Sequence, residues 1–369
     1  MNRPLLVIMA GGTGGHVFPG LALAHEMQSQ GWQVAWFGTA EKIEATLVPQ
    51  HGFPIHFIDV KGVRGKGLIT KLSAPFMLLS AVLQARSHLR KLQPRAVLGM
   101  GGFASGPGGI AAWTLGIPVL VHEQNAVFGM TNRWLAKIAK RVFCGFDFKS
   151  KAPNNSVFVG NPVRAEFFDI NKQNATSPFR ILIVGGSLGA LALNQIVPAV
   201  LGNLANRYPL QVIHQAGKGK AEPVRIAYDS IQHSAGNESE LTASSFEVQE
   251  FIDDIPSAFA SADIIICRAG ALTVAEVAAS ASCAIFVPLP IAVDDHQTYN
   301  ARSLSDNDAA ILIQQKSLST KLEDSLENLL SDPSKIETIG RNARQLSIQD
   351  ATQRVAQACI QEGLRKNSE

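Results

Sequence analysis

The sequence holds only four cysteines among 369 residues, and no two of them form a CxxC pair. Cys144, Cys267, Cys283 and Cys359 therefore offer neither a zinc site nor a disulfide framework, and a reducing compartment suits them. An excess of one charge is also lacking: 33 Lys and Arg against 30 Asp and Glu leave a net +3. So small a balance gives no general pull on nucleic acid, although a local basic patch can still act. Neither an RNA-binding nor a zinc-finger pattern occurs. No apolar run reaches the roughly 20 residues that a bilayer crossing takes. The brief apolar start MNRPLLVIMAGG reads as a strand and lacks the long h-region and cleavage site of a signal peptide. A cytoplasmic location is expected, with a surface able to face a membrane.

What is present is apolar and periodic. Hydrophobic residues make up 46% and charged ones 17%, enough for well-packed cores, and the length favours two domains. Short β-branched runs alternate with longer helical patterns, as in parallel sheets with crossover helices. Strands are expected at 5–10, 33–38, 96–100 and 118–123, with a helix over roughly 18–30. After the polar stretch DINKQNATSP the pattern restarts with RILIVGGSLGALALNQ, then runs through strands at 211–217, 246–252, 262–270 and 283–290. Strand, glycine-rich turn and helix thus occur twice. This predicts an α/β chain of two similar doubly wound domains facing each other across a cleft, with ligands at the carboxyl ends of the strands.

The glycine-rich turns do not belong to the commonest nucleotide motifs. AGGTGGH (10–16) is not GxGxxG, because Val17 stands where a third glycine is needed, and no GK[ST] follows for a P-loop. Glu41 stands somewhat late for the acid that a NAD site places after its second strand. What survives is general: amides at a helix N-terminus bind anionic oxygens. One glycine would serve a tight turn, whereas four argue for an anion. GGFASGPGG (101–109) and GGSLGA (185–190) repeat the device, which suggests more than one phosphate-bearing ligand.

CRAGALTVAE is the sharpest element. Gly270 and the amides of Ala271, Leu272 and Thr273 would start a helix, and Glu276 would follow about one turn later. A diphosphate at that end would bring its ribose diol within reach of the Glu276 carboxylate. DDHQTYNA (294–301) offers Asp294, Asp295 and His296 for a metal or Gln297 for sugar hydroxyls; no ligand spacing elsewhere supports a metal, which favours the sugar. In HEQN (122–125), Glu123, Gln124 and Asn125 read equally as substrate contacts or as a network fixing the loop. His16 is either structural or a general base beside the anion site. Over 71–91 an amphipathic helix is expected, with Leu72, Phe76, Leu79 and Leu83 as its core stripe. Met77 and Leu78 widen that stripe, and Lys71, Arg86, Arg90 and Lys91, with Lys61, Arg64 and Lys66 of KGVRGKG, flank it as for an interfacial membrane patch.

These motifs in this order resemble the bacterial peptidoglycan N-acetylglucosaminyltransferases of glycosyltransferase family 28, which convert lipid I to lipid II. GGTGGHVFPGLALA, GVRGKG, GGFASGPGG, HEQNAVFGMTN, GNPVR, GGSLGA, EFIDD, CRAGALTVAE and DDHQTYNA span almost the whole chain. The resemblance implies the GT-B fold of two Rossmann-like domains. It implies an acceptor- and membrane-associated domain over 1–163, a UDP-GlcNAc domain over 164–340 and a terminal helix over 341–369 packing back on the first. It also implies inverting transfer of GlcNAc from UDP-GlcNAc to the C4 hydroxyl of undecaprenyl-diphospho-MurNAc-pentapeptide, with no cofactor and no metal held by a DxD motif.

Roles carry over by motif. Thr13, Gly14, Gly15, Asn125, Arg164, Ser187 and Ile252 are implied as UDP-GlcNAc contacts. So are Ala271, Leu272, Thr273, Val274, Ala275 and Glu276, with Gln297. Ile252 would offer backbone groups to uracil, Glu276 would hold the ribose, and Gln297 and Asn125 would recognise the sugar. Gly12, Gly14, Gly15, Gly102, Ser105 and Gly106 are implied for the acceptor diphosphate, and His16 for the base. The membrane patch would comprise Lys71, Phe76, Met77, Leu79, Arg86 and Arg90, on the cytoplasmic face of the inner membrane. Wall-synthesis and division proteins are implied as partners. One departure is Leu188, where the family has the glutamine of GGSQGA. Competing readings are a UDP-GlcNAc epimerase, a glycolipid synthase and a two-lobed sugar-binding protein, which product analysis and UDP release separate.

Overall fold

A computed structural model describes residues 3–60, 68–148, 152–186, 189–234, 244–290 and 292–365. The chain forms two compact units, Met1–Arg164 with Ile348–Glu369, and Ala165–Ser347. The first opens with β1 (Leu5–Ala10), α1 (Gly14–Ser29), β2 (Gln33–Gly38), α2 (Glu44–Gln50), β3 (Ile55–Phe57) and α3 (Leu68–Leu92). It continues with β4 (Ala96–Gly101), α4 (Ser105–Thr114), β5 (Val119–Glu123), α5 (Met130–Leu135), β6 (Arg141–Cys144) and β7 (Ser156–Phe158). Its strands pair in parallel in the order β3-β2-β1-β4-β5-β6-β7. Helices cover both faces, so β1 is apolar without alternation: Leu6, Ile8 and Ala10 enter one core, Val7 and Met9 the other. The β1–β4 register shifts at Met9/Ala10, and there Gly101 takes φ +110, which favours glycine.

The second unit contains α6 (Ala165–Phe168), β8 (Phe179–Val184), α7 (Leu191–Ala205), β9 (Leu210–Gln215), α8 (Ala221–Ser234) and β10 (Ser245–Gln249). Then come α9 (Ile255–Ser261), β11 (Ile264–Cys267), α10 (Ala271–Ala279), β12 (Cys283–Phe286), α11 (His296–Ser305), β13 (Ile311–Leu312), α12 (Leu318–Leu330) and α13 (Ser334–Gln345). Strand order is β10-β9-β8-β11-β12-β13, again parallel throughout. The last helix, α14 (Ala351–Leu364), belongs to the first unit, where Val355, Ala356 and Cys359 join the core with Val17 and Leu21 of α1. Glu362 anchors it through a 3.0 Å ion pair to Arg141.

The stripe expected to bury α3 faces outward. Phe76, Leu79 and Leu83 are 76%, 57% and 57% exposed, while Ala81, Ala85 and Leu89 make the buried face. The reason is steric: α3 packs against α4, and alanines on both sides, with Ala111 and Ala112 facing from α4, allow close backbone approach where leucines would hold the helices apart. Among the described residues no helix is long and apolar enough to cross a membrane.

Candidate active site

The exits of β1 and β2 converge on one carboxylate. Glu44, first residue of α2 and fully buried, accepts from Gly12 N at 3.0 Å through Oε2 and from Thr39 N and Oγ1 at 3.0 and 2.8 Å through Oε1. A Cβ on Gly11 would lie 2.3 Å from Glu44 Oε1, and one on Gly102 would lie 2.3 Å from Gly11 O. The glycines here are therefore in part packing devices. Gly12 donates its N–H to Glu44, and Ser105 commits its hydroxyl to Met9 O and Gly101 O at 2.6 and 2.8 Å. The acceptor-diphosphate roles implied for Gly12 and Ser105 thus meet groups already engaged. Thr13 caps α1 in extended conformation, with the amides of Gly14 and Gly15 pointing out of the helix end and His16 N turned back to Thr13 O at 3.1 Å. His16 Nδ1 lies 3.2 Å from Gly11 O and 3.4 Å from Thr13 Oγ1. Gly106 stands in the first turn of α4, where a Cβ would touch Thr131.

HEQN realises the loop-fixing reading. Glu123 accepts from Asn125 N and Nδ2 at 3.0 and 3.3 Å and from Gly129 N and Asn132 Nδ2 at 2.9 and 3.0 Å. The carboxylate thereby sets the direction of Asn125. His122 is buried, donates Nε2 to Gly160 O at 3.0 Å, and is held neutral because burial lowers it from 6.5 to about 4. The Arg164 guanidinium lies 5.8 Å over the Phe18 ring.

In the second unit α10 begins after Gly270, and its first amides, those of Ala271, Leu272 and Thr273, face out of the N-terminus. Val274 N closes the first turn on Gly270 O at 2.9 Å. Ala275 and Glu276 follow, the glutamate only 8% exposed. Burial pushes the Cys267 thiol up and nearby Glu276 adds to the shift, which keeps that thiol neutral. Gln297 accepts from Leu289 N at 3.0 Å through Oε1, leaving its NH₂ as the end that can donate to a ligand. Asn300 ties α11 to Ala269 O at 3.1 Å, and Asp294 and Asp295 both take left-handed conformations just before it. Among the described residues no three His, Cys, Asp or Glu side chains gather as a metal site. Ile252, buried, follows the end of β10, which stops at Gln249 rather than running on to 252.

Some expected residues lie outside the described ones: Ser187, Leu188, and Lys61, Arg64 and Lys66 of KGVRGKG, together with the side chains of Lys71 and Leu72. Sequence reasoning weighed Glu41 and passed over Glu44. The exposed Glu41 precedes α2, whereas Glu44, at its first position, faces the glycines. A useful signal was an acid opening a helix after a second strand that also ends in glycine. Arg268 was also missed: half-buried, it donates to Val287 O and Pro288 O at 3.0 and 3.2 Å and to Gln315 Oε1 at 2.8 Å, bracing the loop ahead of Gln297.

Residues 6–144 match the glycosyltransferase family 28 N-terminal domain, and residues 180–355 match the family 28 C-terminal domain. A relative from Tolumonas auensis, a UDP-N-acetylglucosamine--N-acetylmuramyl-(pentapeptide) pyrophosphoryl-undecaprenol N-acetylglucosamine transferase, is 52% identical over 365 residues, 97% of this chain and 99% of its own. The crystal structure of Acinetobacter baumannii MurG is similar with a TM-score of 0.80 and 40% identity, covering 97% of this chain and all of its own. UDP-GlcNAc 2-epimerase from Neisseria meningitidis, at TM-score 0.68 and 13% identity over 97% of this chain and 100% of its own, shares the fold.

Proposed function

The chain belongs to glycosyltransferase family 28, and on that premise we propose that it transfers GlcNAc from UDP-GlcNAc to the C4 hydroxyl of MurNAc in undecaprenyl-diphospho-MurNAc-pentapeptide, with inversion, giving lipid II. The observation that carries this reading is the 52% identity to a transferase of that specificity along nearly the full length of both chains.

The chemistry divides between the units. His16 takes the proton of the attacking hydroxyl, a task worth about 10²–10⁴-fold in rate. UDP leaves as a trianion, its β-phosphate keeping the electron pair of the broken C1–O bond, and its charge is met by the outward amides of Ala271, Leu272 and Thr273 at the positive end of α10 and by the glycine-rich end of α7. Thr13, Gly14, Gly15 and Arg164 in the first unit and Ser187 in the second are further expected contacts of the donor. Glu276 accepts from the ribose hydroxyls, Ile252 lends its backbone to uracil, and Gln297 and Asn125 donate to the sugar. No metal enters this scheme. The exposed Phe76, Leu79 and Leu83 of α3, with partly exposed Met77 and Arg86 and exposed Arg90, form the face that rests on the cytoplasmic side of the membrane bearing the acceptor. Its product remains in that membrane, where wall-synthesis and division proteins are the expected partners.

The test is incubation with UDP-GlcNAc and a lipid I analogue, with and without EDTA. Release of UDP matched by a β-linked disaccharide in both conditions is expected. Conversion of UDP-GlcNAc alone, or transfer abolished by the chelator, would overturn the reading.

A further inference from the structure

The peptide between Gly11 and Gly12 is hydrogen-bonded at both of its polar ends. Its N–H donates to Glu44 Oε2 at 3.0 Å, and its C=O lies 3.2 Å from His16 Nδ1. A carbonyl oxygen only accepts, so Nδ1 carries the proton in this contact, and in the neutral ring the lone pair belongs to Nε2. Glu44 is itself aimed by Thr39, which donates from both its amide and its hydroxyl to the other carboxylate oxygen. All three partners of the carboxylate are donors, the set that an ionised group takes.

The surrounding glycines make room for this line of contacts. A Cβ on Gly38 would lie 2.7 Å from Glu44 Cγ, and one on Gly101 would lie 2.8 Å from His16 Nε2. Gly11 and Gly102 are excluded from bearing side chains by the carboxylate and by the Gly11 carbonyl, respectively. Packing of a simple turn needs no buried carboxylate. A buried charge that spends one oxygen on a single peptide, whose other end meets an imidazole, calls for a reason.

We propose that Glu44 is a positioning residue for the acceptor-activating base: acting through the Gly11–Gly12 peptide, its carboxylate fixes His16 in the tautomer that accepts a proton at Nε2, and stabilises the imidazolium that forms. The inference rests on the reading of His16 as the base. As the acceptor oxygen bonds to C1 of the sugar, its proton passes to Nε2 and UDP departs with the electron pair of the broken C1–O bond. Nδ1–H stays on Gly11 O throughout, and Nε2 later returns its proton to water. Glu44 remains ionised and the peptide transfers no proton; it conveys polarisation, as linked hydrogen bonds in a low-dielectric interior do. Around the pair, the residues that the described contacts bring from the exits of β2 and β4 are Gly38, Thr39, Gly101 and Gly102, all uncharged. The Arg164 guanidinium lies 5.8 Å over the ring of Phe18, two residues after His16 on α1.

The experiment compares kcat across pH for the whole enzyme, Glu44→Gln, His16→Ala and the double variant. Removing the carboxylate charge makes the imidazolium less favourable, so the acid limb, where the base is protonated, should move to lower pH. Plateau turnover should fall about 10-fold, the typical effect of removing an outer partner of an active group. KM for UDP-GlcNAc should stay within twofold, and Glu44→Gln should cause no further loss in the His16→Ala background. An unmoved acid limb, or losses that simply multiply, would reduce Glu44 to a structural brace and overturn the proposal. Unchanged turnover in His16→Ala would instead remove the base itself, a distinct failure. Should Glu44→Gln fail to fold, ¹⁵N-histidine NMR of the unaltered enzyme decides: a neutral His16 protonated at Nδ1 is expected, and protonation at Nε2 would overturn the proposal.

Discussion

The two units share one wiring, with β8 to β13 repeating the order of β1 to β6, yet they support their first glycine-rich turn in opposite ways. Under the turn after β1 lies an ionisable carboxylate, Glu44, bonded to Gly12 N. Under the turn after β8 lies a neutral chain. His214 is bonded to Asn194 Oδ1 at 3.2 Å and to Tyr228 Oη at 3.0 Å, and Asn194 Nδ2 holds Ala216 O at 2.9 Å. Burial keeps this imidazole neutral by lowering it from 6.5 to about 4. The difference follows from what each turn must do. Opposite charges about 6 Å apart attract by about 3 kcal/mol at an effective dielectric of about 20, so a carboxylate near a base that must become a cation helps it, and the second turn carries no base in this reading.

The comparison breaks first at His16. His16→Ala should lower kcat about 10²–10⁴-fold and leave KM for UDP-GlcNAc within a few-fold; steady-state kinetics at saturating acceptor measures both. A loss carried by KM instead of kcat would mean that His16 holds the donor rather than activating the acceptor.

Acid should next expose what the units have in common. His122 in the first and His214 in the second are each neutral when folded, near 4, and take up a proton on unfolding, where 6.5 applies. The unfolded chain therefore binds more protons, and the stabilisation, complete above about pH 6.5, is lost as pH falls toward 4. Roughly 3 kcal/mol per histidine is at stake. Urea unfolding with hydrogen exchange resolved by segment should show β1 and β8 losing protection over the same pH window.

The smallest of these effects belongs to the donor side. Glu276→Ala should weaken UDP-GlcNAc binding about 10–100-fold, the worth of one or two hydrogen bonds to a charged group, with kcat changed less than threefold. Isothermal titration with UDP-GlcNAc reads the first quantity. A dominant loss in kcat would erase the division of labour between the units.

Much of this was legible before folding. β1 and β2 fall on the apolar runs at 5–10 and 33–38, because strands buried on both faces leave an uninterrupted hydrophobic signature. β3, β6, β7 and β13 span two to four residues, too short for periodicity to register, and went unread. α1 starts at Gly14, earlier than its apolar pattern suggested, since its first turn is made of the glycines themselves. Phe76 and Leu79 read both as core stripe and as membrane patch, and Leu83 as core alone, because hydropathy does not tell a core stripe from a membrane-facing one.

From residue order alone came the repeated strand–glycine–helix unit, the parallel sheets it demands and the kinds of group gathered at their carboxyl ends, since these depend on local period and on which backbones glycine permits. Which acid counts was decided in three dimensions. Glu41 and Glu44 differ by three positions in the chain, and only the parallel pairing of β2 with β1 carries the second of them to the Gly12 amide. Charge acts through distance in space, which neighbouring letters do not record.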